Sequence, residues 1–329
     1  MTAIPLWEAE LPAGLQPIDL RRHIRGIADL IELSFASDMD AGGRSVIREM
    51  RFVSHFGLAL PFLNAIGLLQ YPWLMGYAWV EGGKVVGCVN TQRASNQAGA
   101  WLIANVAVHP NYRRRGIAWA LMKSTLDLIR NQGGVTAMLQ VDDDNLGAVE
   151  LYRRLGFARF ATQTAWARPA LTPAPELPPT DLLIRPRRFE EWAEQMALAT
   201  RVRPEGFLWN QPLRATDFSP SSMVALEHWL AAQTEEHWVA EDPQTHQMAG
   251  SLIVRINYPE GDRLILCAHP DYLGRVEKPL LAQGLQRVSQ RPWVTRVEHP
   301  TEAAAAETAL REFKFEPGRI LRWMKLSLR

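Results

Sequence analysis

The fold is decided by residues 106–119, which read VAVHPNYRRRGIAW. An apolar strand (residues 101–108) leads through a short turn into a helix (residues 117–131). The first amides of a helix lack intrahelical partners and carry partial positive charge, so they bind anions. Gly116 and Ala118 leave the main chain open to a diphosphate, and the three arginines before them add charged donors. The stretch predicts a diphosphate site, with a solvated basic turn and helix cap as the alternative.

A second block, residues 145–157, reads NLGAVELYRRLGF and predicts a helix closed by a glycine. Asn145, Ala148 and Tyr152 stand at i, i+3 and i+7, so they share one helix face. That helix follows the predicted strand 137–141, next to the strand of the first block. Each polar side chain has a structural alternative: Asn145 as a helix N-cap, and Tyr152 as an amphipathic residue with its ring in the core.

Together the two blocks resemble the GNAT superfamily of N-acetyltransferases. Its acetyl-CoA motif, Arg/Gln-x-x-Gly-x-Gly/Ala after a strand, is matched by Arg113, Gly116 and Ala118, and the later family block is matched by 145–157. The resemblance covers residues 18–168, and the second half in outline. It implies an α/β (α+β) fold of two tandem GNAT-like domains, each a mixed, mostly antiparallel sheet flanked by helices. It also implies acetyl-CoA as the acyl donor.

The resemblance implies a role for each matched residue. Main-chain groups of the strand would bind the pantetheine arm, and residues 113–119, here called the cradle, would hold the diphosphate. Asn145 would contact the pantetheine, while Tyr152 would be the general acid that protonates the departing thiolate. A neutral amine would attack the thioester carbonyl, with a backbone amide near Val106 steadying the oxyanion. The implied cofactor-binding residues are Val106, Ala107, Val108, Arg113, Arg114, Arg115, Gly116, Ile117, Ala118, Trp119, Asn145 and Ala148.

The general base that would deprotonate the amine is left open. Some family members carry a glutamate on the strand before the cradle, but that position is Leu102 here. A base acting through water is one alternative, because many amines need only a small neutral fraction. The other candidates are Asp142, Asp143, Asp144, Glu81, His55 and Asp38.

A chain of 329 residues is long enough for two domains, and the stretch 168–181, RPALTPAPELPPTD, divides it. Its prolines favour extended backbone, which predicts a semi-rigid spacer. We predict a catalytic GNAT-like acetyltransferase domain at residues 1–168, a Pro-rich linker at 169–180 and a degenerate GNAT-like domain at 181–329.

The second half echoes the first without its reactive groups. LCAHPDY at 266–272 repeats VAVHPNY at 106–112, an offset of 160 residues. Beyond this echo, the same offset places a branched side chain and a carboxylate at the positions that correspond to the cradle, where they would crowd and repel a diphosphate. We therefore expect the second half not to bind acetyl-CoA but to shape or close the acceptor site. The matched pairs are Gly116 with Val276 and Ile117 with Glu277, and, at an offset of 158, Tyr152 with Leu310.

Composition excludes several other classes of protein. Lys and Arg number 36 and Asp and Glu 35, so the chain lacks the one-sided charge of a nucleic-acid or membrane-surface binder. Cys88 and Cys267 lie far apart with no ligand residues nearby, so neither a disulfide framework nor a metal site is indicated. No secretory signal opens the sequence, and prolines break the uncharged stretch 56–80, so a cytoplasmic protein without a membrane span is expected.

The expected acceptor is a primary amine of a small molecule. The uncharged segment 56–71 lies where the resemblance implies the acceptor wall, which favours an apolar or aromatic amine; a core or domain interface is the alternative for this segment. A homodimer stays open. So does a different function, that of a non-catalytic acyl-CoA-binding sensor or assembly module, which thiol release with a panel of amines would distinguish from an enzyme.

Overall fold

The structure is a computed structural model, and it forms two compact units. Unit 1 consists of Met1–Gln140, Leu146–Ala158 and Met324–Arg329, and unit 2 of Val141–Asn145 and Arg159–Trp323. The predicted domain boundaries at 168 and 181 stay a prediction. The described residues are 11–35, 41–54, 75–94, 98–203, 218, 233–257 and 261–329.

Seven α-helices and twelve strands lie within the described residues. The helices are α1 (Leu20–Phe35), α2 (Ala41–Ser54), α3 (Ile117–Asn131), α4 (Leu146–Arg154), α5 (Trp192–Val202), α6 (Glu277–Val288) and α7 (Ala304–Glu312). The strands are β1 (Leu15–Pro17), β2 (Met75–Glu81), β3 (Lys84–Arg93), β4 (Ala100–Val108), β5 (Thr136–Asp142), β6 (Ala158–Arg168), β7 (Leu183–Pro186), β8 (Thr234–Glu241), β9 (Met248–Ile256), β10 (Asp262–Ala268), β11 (Thr295–Pro300) and β12 (Glu316–Ser327).

The sheet of unit 1 has the strand order β1-β2-β3-β4-β5. Its first three pairings are antiparallel, and β4 pairs with β5 in parallel. Strands β2 and β3 form a hairpin, in which Gly82 and Gly83 both adopt the positive φ that a tight two-residue turn needs. Helix α1 buries its apolar face against the sheet and α2, through Ile24, Ile27 and Leu30.

The pairing between β4 and β5 ends early. It runs from Ala100, opposite Thr136, to Ile103, opposite Leu139. The side chains of β4 are buried up to Ile103, whereas Ala104 is exposed. The two parallel strands are therefore no longer paired beyond Ile103, and we call this opening between β4 and β5 the splay.

The sheet of unit 2 has the strand order β12-β6-β11-β10-β9-β8-β7. Strands β10 and β11 are parallel, while β6 with β11 and the pairs from β10 to β7 are antiparallel. Its core joins apolar side chains of this sheet with those of α6 and α7, including Leu252, Leu264, Leu280 and Leu310. Both units thus have the predicted mixed, mostly antiparallel sheet flanked by helices.

The uncharged segment 56–71 lies outside the described residues, as do His55 and Asp38. The end of the uncharged stretch 56–80 is described, and it lies in strand β2, which begins at Met75. Of the helices in the described ranges, none is both long enough and apolar enough to cross a membrane.

Candidate active site

The predicted cradle is an open helix N-terminus. Gly116 is the N-cap of α3 and has a φ of 78°. Because glycine has no side chain, the N-cap residue provides no group that could accept a hydrogen bond from the first helical amides. Arg114 also has a positive φ, 63°. Successive main-chain N–H groups in turn conformations can form a concavity that binds anions. The amides of residues 117–119 have no acceptor within the helix, so three main-chain donors are available at the N-terminus of α3.

The main chain at this N-terminus is uncovered. A Cβ placed on Gly116 would meet no atom within 4 Å. Ala118 is half-buried and Trp119 is 42% exposed, while Ile117 is buried and anchors the first turn of α3 in the core. Several donors and a close approach to the main chain are what a diphosphate requires, so the residues present fit that group.

Three exposed arginines precede the helix. Nε of Arg113 donates a hydrogen bond to the main-chain oxygen of Val108 at 3.1 Å. Arg115 donates to the main-chain oxygen of Asn111 at 3.2 Å, and its guanidinium lies 4.9 Å from the centre of the Tyr112 ring. The acceptor of Arg113 is a neutral main-chain group that leaves its positive charge uncancelled, whereas Arg115 also lies 3.8 Å from the Glu81 carboxylate.

The strand that leads into the cradle has an open edge. Val106 and Val108 are half-buried and Ala107 is buried. Beyond Ile103 the strand no longer pairs with β5, so its main chain on that side can accept an extended ligand arm as it would an added strand. The main-chain oxygen of Val108 already accepts a hydrogen bond from the Arg113 side chain, unlike an open acceptor on this edge.

The predicted acid, Tyr152, is buried in α4, with 5% of its surface exposed. Its ring meets Phe157 edge-on, with 6.1 Å between ring centres. Burial raises the pKa of the Tyr152 phenol far above its usual value, so the group is protonated at neutral pH, as a proton donor must be. Ala148, one helical turn away, is half-buried. Asn145 is exposed and belongs to unit 2, and its main-chain amide donates to the Asp142 carbonyl at 3.1 Å.

Most described candidates for the general base are already engaged. Asp142 accepts two hydrogen bonds from Arg319, and Asp143 pairs with Arg322 at 2.7 Å. Glu81 accepts a hydrogen bond from the Trp79 indole at 3.1 Å and lies 3.8 Å from Arg115. Asp144 is exposed and Leu102 is buried. The identity of the base stays a prediction.

Metal ligation finds no support in the described ranges. They contain no group of three or more His, Cys, Asp or Glu side chains placed to hold an ion. Cys88 and Cys267 are buried free thiols, and burial raises the pKa of both.

Unit 2 repeats the turn that leads into the cradle. His109 and His269 each accept a hydrogen bond at Nδ1 from the amide two residues later, at 3.3 Å in both cases. Each imidazole also packs edge-to-face against the ring of the tyrosine three residues later in the sequence, Tyr112 or Tyr272, with 5.6 and 5.8 Å between the ring centres. The matching contacts confirm the repeat that the sequence echo predicts.

The repeat then shifts by one residue in how the helix packs against the sheet. Gly87 of β3 approaches Ile117 of α3, and Gly250 of β9 approaches Val276 of α6 in the same way. By packing against the sheet, Val276 therefore matches Ile117 at an offset of 159. By position in the helix the predicted offset of 160 holds, because Gly116 and Val276 are both N-caps and Ile117 and Glu277 are both first helical residues.

By the packing match, Glu277 corresponds to Ala118 (277 minus 159). Its side chain is buried and turns back over the N-terminus of α6, where Oε2 accepts a hydrogen bond from the Gly274 amide at 2.8 Å. The amides of Val276 and Glu277 itself also donate to the carboxylate. Burial nevertheless raises the pKa of Glu277. In unit 2, an internal carboxyl group thus occupies the position that is open in unit 1.

Sequence reasoning missed two features of this region. One is the self-capping contact of Glu277 with the start of its own helix. The other is a pair of asparagines, Asn90 on β3 and Asn105 on β4, whose side chains meet at the splay. Asparagine is uncommon inside strands and tolerates a positive φ, and this is the signal that could have drawn attention to Asn105.

Comparisons with known proteins agree with this geometry. Residues 49–157 match the model of the acetyltransferase (GNAT) family. The chain is 29% identical over 173 residues to mycothiol acetyltransferase of Rhodococcus jostii, which is 50% of this chain and 54% of that protein. It is 31% identical over 83 residues to [ribosomal protein bS18]-alanine N-acetyltransferase of Escherichia coli, 25% of this chain and 54% of that protein. The chain thus spans about half the length of each of these relatives.

Solved structures share the fold over almost the whole chain. A GCN5-related N-acetyltransferase from Sphaerobacter thermophilus superposes with a TM-score of 0.62 at 14% identity, covering 97% of this chain and 98% of that one. A tandem GNAT protein from the clavulanic acid biosynthesis pathway gives 0.57 at 14% identity, covering 96% and 98%. The fold is therefore that of tandem GNAT proteins, and residues 49–157 belong to the GNAT family of acetyltransferases.

Proposed function

We propose that the protein is an acetyl-CoA-dependent N-acetyltransferase that acts through unit 1 on a primary amine of a small molecule. The observation that carries the proposal is the contrast between the two helix N-termini. In unit 2 three main-chain amides hold the Glu277 carboxyl group. In unit 1 the matching position is Ala118, and the amides are open to an external anion. The same turn thus already binds an acidic oxygen group once in this chain.

The reaction follows from what unit 1 presents. When bound, acetyl-CoA supplies the activated acyl group. The cradle amides and Arg113 would hold its diphosphate, and the open edge of β4 would align its extended arm. The main-chain amide of Val106 would stabilise the negative charge that develops on the carbonyl oxygen as the amine attacks.

Tyr152 would then supply a proton to the leaving thiolate. Its phenol is buried and protonated, so it needs no partner to deliver a proton at neutral pH. A high pKa makes the phenol a weak acid in the free enzyme. The proton would therefore move only as the C–S bond breaks and negative charge builds on the sulfur, and the phenolate left behind would regain a proton released by the amine that has attacked.

The acceptor is inferred at the level of its class. The similar proteins reported above include one named as a mycothiol acetyltransferase and one named as an N-acetyltransferase of a ribosomal-protein alanine. We favour a small amine with an apolar or aromatic part, because the uncharged segment 56–71 falls within the matched family region.

Calorimetric titration with acetyl-CoA tests the donor site. One site per chain is expected, since only unit 1 has an open cradle, and Gly116→Glu should abolish binding. Gly133→Glu is the matched control: Gly133 lies just beyond the other end of α3, with nearly the same φ, 76°, and equally open surroundings. Two equal sites, or unchanged binding by Gly116→Glu, would contradict the proposal.

Turnover separates an enzyme from a binding module. Thiol release in the presence of a panel of primary amines should be steady and amine-dependent. Binding of acetyl-CoA without release for any amine would favour the sensor or assembly alternative.

A further inference from the structure

The strand β4 contains a bulge next to the splay. Cys88 of β3 pairs with Ala107, but Asn90 pairs with Ala104. Two residues of β4, Asn105 and Val106, therefore stand opposite the single residue between Cys88 and Asn90. Such a bulge removes local main-chain groups from the ladder. The pairing of β4 with β5 has ended at Ile103, so the Val106 amide is outside the regular ladder on both sides.

The bulge depends on a left-handed residue. Asn105 has a φ of 52°, a conformation that asparagine tolerates better than most residues. Two contacts from β3 hold it. Nδ2 of Asn105 donates to Oδ1 of Asn90 at 3.2 Å, and the Cys88 thiol donates to the main-chain oxygen of Asn105 at 3.3 Å. Asn90 is only 2% exposed, so this amide contact is shielded from water.

Unit 2 shows the same strand pair without the bulge. Strands β9 and β10 keep an unbroken register from Arg263, opposite Arg255, to Ala268, opposite Gly250. At the positions of Asn90 and Asn105 this ladder has two isoleucines, Ile253 and Ile265, directly opposite each other. The unit whose cradle is closed therefore also lacks the amide pair and the bulge.

We infer that Asn90 is a positioning residue for acyl transfer: through the side chain of Asn105, it keeps the bulge in the form that leaves the Val106 amide available to the thioester oxygen. This inference rests on the proposed function. Asn90 acts on the reacting atoms only through Asn105 and Val106. Its effect should therefore fall on the chemical step and not on the binding of acetyl-CoA, whose diphosphate is held at the cradle.

Four variants test the inference. Asn90→Leu removes the amide contact, and Asn105→Gly removes it while still permitting the positive φ. The double variant combines them. Thr91→Val is the control, because the Thr91 hydroxyl donates to the Leu102 carbonyl of β4 at 2.8 Å, an equally buried contact on the same strand pair where β4 is still paired with β5. Each is measured for kcat, for the Kd of acetyl-CoA and for thermal stability.

Loss of one oxyanion donor typically lowers kcat about 10²–10³-fold, and a misplaced donor should cost less. We expect Asn90→Leu to lower kcat at least tenfold with the Kd of acetyl-CoA within twofold of wild type. The double variant should be no slower than the slower single variant, because both act through one contact. Thr91→Val should lose stability without this loss of kcat.

Several results would overturn the inference. One is an Asn90→Leu variant whose kcat is no lower than that of Thr91→Val. Another is a double variant in which the kcat losses of the two single variants multiply. A third is a change confined to the KM of the amine, which would make Asn90 a contact of the acceptor. If Asn90→Leu does not fold, Asn105→Gly decides alone, since glycine tolerates the observed φ. A wild-type protein that fails to release thiol with any amine would refute the proposed function, whereas an active wild type with unaffected variants refutes only this inference.

Discussion

The closed turn of unit 2 can be transplanted into unit 1. Glu277 matches Ala118 and caps its own helix with three main-chain hydrogen bonds. We expect Ala118→Glu to place a carboxylate over the N-terminus of α3 in the same way. The position is half-buried, and the neighbouring Gly116 leaves open space for the longer side chain. The variant should therefore fold but lose its affinity for acetyl-CoA.

The two expected effects have opposite signs. Residue 118 is half-buried whereas Glu277 is buried, so a carboxylate there should keep more of its hydration. An acidic side chain in the first turn of a helix then contributes about 0.3–1 kcal/mol to stability, and the melting temperature should not fall. A phosphate competing for the same amides would come within about 4 Å of the new carboxylate. At an effective dielectric constant of about 20, two unit charges at that distance repel by about 4 kcal/mol, which is roughly a thousandfold in Kd.

Calorimetry and thermal unfolding measure both effects on one sample, with Ala118→Gln as the control. Glutamine has the length of glutamate without its charge, so the difference between the two variants isolates the repulsion. It should shrink as salt is added, because partly exposed charges are screened. An Ala118→Glu variant that is correctly folded and binds acetyl-CoA like wild type would refute the assignment of the cradle to the diphosphate.

Three further outcomes are expected. Tyr152→Phe should lower kcat about 10²–10⁴-fold with little change in acetyl-CoA affinity, whereas Tyr112→Phe, beside the cradle, should not; equal rates would remove Tyr152 from the acid role. Burial raises the pKa of Glu277, so wild-type stability should fall as pH rises above about 4.5, and Glu277→Gln should flatten this decline in melting temperatures. Burial raises the pKa of Cys88 to about 12 and also raises that of Cys267, so a thiol reagent at pH 8 should label neither before unfolding.

Elements with local causes could be predicted from the sequence. The turn at Gly82 and Gly83 needs a positive φ that glycine adopts freely, and the helix at 117–131 shows its apolar period and its glycine stop. The cradle is equally local, because a strand, a turn and a helix start follow each other within fourteen residues of sequence 106–119. Its assignment to a ligand still depends on the resemblance.

Other elements depend on distant partners and could not be predicted. Helix α2 contains two adjacent glycines near its start, which weaken intrinsic helix propensity, and its apolar residues Ile47 and Met50 join the cluster formed by α1. The bulge at Asn105 is a matter of register, which a strand acquires only against its neighbour. The one-residue shift between the two units in how Ile117 and Val276 pack against the sheet likewise emerges only from the structure.

The differences between the two units follow one physical rule. A stable fold satisfies its main-chain donors, whereas a site that binds an anion or stabilises an oxyanion must keep some of them open until the ligand arrives. Unit 2 satisfies them, with the Glu277 carboxyl group at the helix N-terminus and an unbroken ladder at Ile265. Unit 1 keeps them open, at the cradle and at the Asn105 bulge. Two separate places in unit 1 thus carry the cost of incomplete hydrogen bonding, and both lie along the same strand, β4, and the turn that follows it. That coincidence is expected if one extended ligand, with a diphosphate at one end and a thioester at the other, satisfies both.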